Sequence, residues 1–216
     1  MNPLSSTDRT RLGRHPDRST GQRSALHAIL DDGLICHLGL IVEGSPRVIP
    51  TAYGRLDETL YIHGSSGASS LRAGPSQDVC VTVTHLDGLV IARSLFHHSL
   101  NYRSAVIYGT PRLVTDPDEK LTGLRVVTEN LTPGQWDVAR KPSRKEMASV
   151  SVLALSLDEA SVKIRQGGPV DEDEDYALDV WAGVIPTHQT FGSPTPDPAL
   201  PSEIAVPDHI TRRATS

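Results

Sequence analysis

The chain has 216 residues, of which 38% are hydrophobic and 22% charged, and a formal net charge of −5. That length suits one domain with extensions. The charge excludes a non-specific nucleic-acid binder, which needs a basic face against phosphates. The two cysteines, Cys36 and Cys80, stand apart in apolar runs, so neither a disulfide framework nor a cysteine-rich zinc site is expected. No apolar stretch is long enough to span a bilayer, and the Arg-rich stretch from Asp8 to Arg23 lacks the apolar core of a secretory signal. The expected location is the cytoplasm, with no membrane partner.

Residues 1–20 read as a mobile leader, 21–186 as the folded domain and 187–216 as a Pro-rich tail that wraps a partner subunit. A short helix runs from Gln22 to Asp32, with Leu26, Ile29 and Leu30 on one stripe and Gly33 as its stop. Strands are predicted at 34–42, 47–56, 59–64, 78–86, 89–95 and 104–115, with Asp87-Gly88 as a hairpin turn. Asp116-Pro117-Asp118-Glu119 starts a helix: Asp116 caps it, Pro117 suits its first position and Glu119 reaches back. Pro133 breaks that helix. Ser149 to Leu157 and Ala160 to Gln166 form a further strand pair that closes the sheet. The acidic run Asp171 to Asp175 reads as a solvated loop. Short strands with tight turns and few helices predict a mainly β, antiparallel barrel. The crossover helices of a parallel α/β fold are missing, as are G-x-G-x-x-G after a strand and the P-loop.

Several segments, taken in order, resemble a known family. They are Arg47-Val-Ile-Pro-Thr-Ala-Tyr-Gly54, Leu60-Tyr-Ile-His-Gly-Ser65, Thr82 to Ser94, His97-His-Ser99 and Asn101-Tyr-Arg-Ser104. Over about residues 22–186 the chain is similar to flavin-nucleotide-binding proteins of the pyridoxamine 5′-phosphate oxidase-like superfamily, in particular the branch holding the nitroimidazole-resistance proteins. The resemblance implies a six-stranded split β-barrel with a few peripheral helices. It also implies a homodimer with FMN, or sometimes FAD, in a cleft between subunits. The fold-level alternatives are a deazaflavin or haem, since related split barrels include haem-binding proteins and one axial His suffices.

A flavin nucleotide needs donors and charge for its phosphate, hydrogen bonds at the ring edge and a flat apolar slot. The resemblance places Val48, Ile49, Pro50, Thr51 and Ala52 along the ring, with Pro50, which has no N–H, on an edge or bulge. Gly64, Ser65, Ser66, Ser69 and Ser70 offer close backbone approach and hydroxyls for the phosphate; an ordinary polar turn is the alternative. The family usually carries Lys or Arg in this loop. Ser69 and Ser70 stand there instead, so the charge falls to Arg72, or to a second cluster of Arg103 and Ser104. His98 and Ser99 interrupt the strands and are placed near the cofactor. His63 matches a family His close to the flavin, which would donate to substrate or shuttle a proton; a structural His bonded to backbone is the alternative. No clustered His and carboxylates suggest a metal site. The reading is a flavin-dependent oxidoreductase acting on a small molecule, with a nitro compound as candidate by analogy. The rival is a non-enzymatic flavin or haem protein that stores or senses.

Overall fold

The computed structural model describes residues 3–215, so Met1 and Asn2 of the leader and Ser216 of the tail lie outside the described residues. After α1 (Arg23–Asp32), β1 (Ile35–Val42) and β2 (Ser45–Leu56) form a hairpin whose two-residue loop puts Glu43 and Gly44 at positive φ. A second tight turn at Asp57-Glu58 leads into β3 (Thr59–Ser65). The short α2 (Ser69–Ala73) precedes β4 (Val79–Ile91), β5 (Ser99–Gly109) and β6 (Arg112–Leu113). Next come α3 (Pro117–Leu131), α4 (Gln135–Val138), α5 (Arg144–Ser149), β7 (Val150–Ser156), β8 (Glu159–Arg165), β9 (Gly183–Pro186) and α6 (Asp208–Ala214). The strand order is β6-β7-β3-β2-β1-β4-β5-β8, with β9 added alongside β4, and every pairing is antiparallel. The sheet curls into a half-barrel. Its interior is filled by Leu38, Tyr53, Leu60, Val81, Ile107 and Leu155 among others, and α1 contributes Leu26, Ile29 and Leu30 to the same core. Among the described residues no helix is long and apolar enough to cross a membrane.

The mainly β, antiparallel expectation holds, but the sheet has nine strands and not six. Asp87-Gly88 is no hairpin turn. β4 runs straight through it, with a bulge between Leu86 and Gly88 against β5. The strands expected at 78–86 and 89–95 are therefore one, and the true reversal is the loop before Ser99, where β5 begins. β7 and β8 do not pair with each other: β7 lies between β3 and β6, while β8 edges β5. Asp116 caps α3 by accepting from the N–H groups of Asp118 and Glu119 (3.1 and 2.8 Å). Glu119 does not reach back. Its carboxylate is taken by Arg112 and the Tyr61 hydroxyl, which tie the helix to the sheet. Asp171, expected in a solvated run, has a fully buried side chain. It accepts from the backbone N–H groups of Arg93 and Ser94 and from the Arg93 guanidinium.

Residues of both extensions contact the domain. Arg9 bridges Asp78 and Glu159, and Ser19 forms a strand bridge with Lys163. In the tail, α6 docks on the end of α3 and on α4 through His209 Nε2 to Gln135 (2.9 Å) and Arg213 to Leu131 O (2.9 Å).

Candidate flavin cleft where two strands part

β2 and β3 are partners only from Tyr53↔Ile62 to Leu56↔Thr59. Beyond that point β2 follows β1, out to Val42↔Ser45, while β3 follows β7, out to Ser65↔Val150. The two strands splay and leave a wedge between residues 48–52 and 63–66, with α2 packed on β1, β3 and β7 at its foot. A split of this kind exposes edge groups in a concave place, where a flat ring can lie against strands.

Alternation decides which candidates face the same way. Ile49 and Thr51 sit opposite the buried Leu38 and Cys36, on the core side of β1. Val48, Pro50 and Ala52 sit on the outer face, opposite Gly39, His37 and Ile35. Across the split, His63 and Ser65 pair with Val152 and Val150 on that same outer face. Five consecutive residues therefore cannot all line one ring; Val48, Pro50 and Ala52 can, with His63 and Ser65 beyond the gap. His37 and Ile35 share this face and were missed from the sequence. The alternation of Cys36, Leu38, Leu40 and Val42 toward the core was the signal that could have found them.

The outer face is covered over one half only. α3 lies on Gly54 so closely that a Cβ there would meet the Val126 carbonyl oxygen at 2.5 Å, and Tyr61, Val127, Val152 and Ala154 form a second small core beneath it. Ala52 is its last half-buried member. Past it the apolar face is bare, with Val48 at 69% and Ile35 at 56% exposure.

His63 is half-buried, and its Nδ1 is sealed from solvent without a hydrogen-bond partner. Burial holds its pKa below the ordinary histidine value, so the ring is neutral at pH 7. In the following loop the Ser65 hydroxyl accepts from Gly67 N–H (3.2 Å), and Ser66 N–H donates to Ser149 O (2.9 Å). Ser69 is exposed and Ser70 buried. Arg72 lies in the last turn of the five-residue α2, not at its start; it is exposed and makes no ion pair among the described residues. Gly64 packs toward Leu71, where a Cβ would approach Cδ2 to 3.2 Å.

The remaining candidates are not gathered at this split within one chain. His98 is exposed, with Nδ1 3.1 Å from Ser94 O, and Ser99 opens β5. Ser104 donates to Lys163 O (3.4 Å). Arg103 is bound to Asp87 and Asp32 and lines a separate cleft of about 610 Å³ beside His85, His188 and Phe191. Its charge is already neutralised by two carboxylates, which leaves Arg72 as the cation nearest the Gly/Ser loop in sequence. Among the described residues no cluster of His, Cys, Asp or Glu could hold a metal ion.

A family profile described as pyridoxamine 5′-phosphate oxidase matches residues 22–164. The chain belongs to this family. It is similar over 99% of its length to the whole of the flavocytochrome Anf3 from Azotobacter vinelandii, with 37% identity and a TM-score of 0.94. It is also similar to an FAD and haem binding protein from Mycobacterium smegmatis, at 35% identity and a TM-score of 0.88, over 92% of this chain and 98% of that one. A Bacteroides thetaiotaomicron structure described as a 5-nitroimidazole antibiotic resistance protein shares the fold, at 21% identity, a TM-score of 0.57 and coverage of 68% and 86%. Comparison with curated proteins gave no match.

Proposed function

We propose that this chain is a redox protein that binds a flavin at the β2–β3 split and carries a haem, as a two-fold homodimer. The observation that carries the reading is His63: a neutral imidazole with a sealed, unpartnered Nδ1 at the edge of an apolar face that nothing covers. Such a nitrogen is costly unless a ligand completes it. The full-length likeness to a flavocytochrome and to an FAD and haem binding protein supports both cofactors. It also favours FAD over FMN, in keeping with Ser69 and Ser70 where a phosphate loop usually carries Lys or Arg. When bound, the flavin supplies two-electron chemistry and the haem one-electron chemistry.

The chain's own part is to hold and orient. Val48, Pro50 and Ala52 offer the flat apolar wall. Ser65 and Arg72 stand on the side of the loop for phosphate, and His63 meets the ring edge or a substrate over it. His37 and His63 are the two imidazoles of the outer face on either side of the split that an iron could take. The bare strip with Val48 and Ile35 supports a partner subunit over residues 47–54, and Leu95 and Phe96, beside residues 97–104, are exposed apolar side chains in a second segment. Reduction of a nitro compound rests only on the fold shared with the Bacteroides structure, and the flavin–haem reading is preferred.

The visible spectrum of the purified protein, followed by titration of the cofactor-free chain with FAD, FMN and haemin, is the test. Flavin bands together with a Soret band, and tighter binding of FAD than FMN, are the expected result. A colourless protein that takes up neither group overturns the reading. Loss of the Soret band in His37→Ala or His63→Ala names the histidine that would hold the haem; its retention in both removes haem from this face.

A further inference from the structure

Arg165 ends β8 and is only 8% exposed, yet no carboxylate among the described residues reaches it. Its Nη1 donates to Asn101 Oδ1 and to Gly167 O (3.3 Å), and its Nη2 donates to Gly168 O (3.1 Å). These acceptors are neutral. They satisfy N–H groups without cancelling the charge, and a buried unpaired cation is unfavourable. Nε–H and the second Nη2–H have no partner among the described residues. They sit on neighbouring nitrogens and form the side-on edge that a phosphate or carboxylate grips with two oxygens. The Arg165 Nε is not sealed from solvent, unlike the Nε of Arg93.

Two more cations stand at the same corner. Lys163 lies two residues back on β8 and so on the same face as Arg165. The leader crosses β8 at the Ser19↔Lys163 bridge and brings Arg18 with it. Neither Arg18 nor Lys163 makes an ion pair among the described residues. The nearby acids are engaged elsewhere: Asp17 turns to His15 (3.9 Å), and Glu159 is taken by Arg9 and Thr7. Burial lowers the Arg165 pKa, and repulsion from Arg18 lowers it further. An anion between the two would oppose both effects. In a chain of net charge −5, three uncompensated cations at one strand end mark a place that is incomplete without an anion.

We propose that Arg18, Lys163 and Arg165 form a binding site for the phosphate or diphosphate group of a small molecule. Diphosphate fits best, because three cations call for more charge than one carboxylate carries, and the fork of Arg165 matches paired oxygens. The site does not depend on the flavin reading: β8 ends the strand order at one side, with three strands between it and β2.

The test is calorimetric titration of the full-length protein, with its cofactors as purified, at constant ionic strength. The probes are inorganic pyrophosphate, inorganic phosphate and ADP. Pyrophosphate should bind at least tenfold more tightly than phosphate, and the Arg18→Gln/Lys163→Gln double variant should lose about ten- to a hundredfold. Tighter binding of ADP than of pyrophosphate identifies a nucleotide as the source, and equal binding identifies a free diphosphate. Arg165→Lys, which keeps the charge and loses the fork, should also bind weakly. If that variant does not fold, the double variant, whose two side chains are only half-buried and make no ion pair among the described residues, decides alone. No heat with any probe, or unchanged affinity in the double variant, overturns the proposal.

Discussion

The outer face of β2 has two halves that differ in what covers them. Around Gly54 the strand pairs with β3, and α3 presses against its backbone. From Ala52 back to Val48 it pairs with β1 instead, and apolar side chains stand in the open. The same strand, with the same alternation, thus serves folding in one half and, in the proposed function, binding in the other. A packed face tolerates no extra atom, whereas a bare apolar face next to an unpartnered imidazole is held open for something else.

The strongest test of this contrast is an added methyl group. Gly54→Ala drives a Cβ into the Val126 carbonyl, 2.5 Å away, and neither backbone can easily yield. We expect a loss of about 3 kcal/mol, at the upper end for overpacking, in urea unfolding. Trimming a side chain in the bare half, Val48→Ala at a position 69% exposed, should leave stability within about 0.5 kcal/mol in the cofactor-free chain. Equal effects at the two positions would erase the distinction.

Charge on the bare half should act on assembly. Val48→Asp places a carboxylate in the centre of the proposed subunit contact. Sedimentation should show dimer association weakened by about 3 kcal/mol, roughly a hundredfold, with the monomer's unfolding curve little changed. A wild-type protein that is monomeric at micromolar concentration would remove the dimer altogether.

Much of this was legible in the sequence, for a local reason. α1, the two tight turns around β2 and the Asp116 cap are each written in a few adjacent residues. What was not legible depends on distant partners. Gly88 looked like half of a turn, yet its small size serves β9: a Cβ there would approach Val184 Cγ1 and Ile185 O at 3.0 and 3.1 Å. Asp87, the other half, is the bulged residue whose carboxylate meets Arg103. Asp171 looked solvated because its neighbours are acidic, while its own partners, Arg93 and Ser94, lie far away in the sequence. In the candidate site, period-two alternation is enough to separate Val48, Pro50 and Ala52 from Ile49 and Thr51. The same alternation turns His37, between the core-facing Cys36 and Leu38, to the outer face opposite Pro50.

His63 gives a pH test of intermediate size. Its folded pKa lies below the ordinary value of 6.5, because burial disfavours the charged ring. In the unfolded chain the ring takes up a proton near 6.5, so below that pH the unfolded state binds more protons and stability falls. The cofactor-free protein should therefore lose stability as the pH drops from about 7 toward 5. His63→Gln should flatten that stretch of the curve, measured by urea midpoints. Parallel slopes for the variant and the wild type would show that the ring is solvated, and the argument from its sealed nitrogen would fall.

The smallest effect concerns Arg72. Its guanidinium is exposed at the end of a five-residue helix, so any contact with a phosphate is screened by water and salt. Charge-assisted bonds at buried sites give about 1.5–3 kcal/mol, while exposed pairs give about 1 or less. Arg72→Ala should then weaken FMN and FAD by about three- to tenfold and leave riboflavin, which has no phosphate, unchanged. The loss should shrink as salt rises. Equal losses for riboflavin and FMN would mean that the change disturbed the Gly64–Ser70 loop and not a charge contact. No loss for any of the three would leave the phosphate to the backbone and hydroxyls of that loop. The binding half of β2 would then face a loop that recognises its ligand by shape and hydrogen bonds, with the ring and not the phosphate supplying most of the affinity.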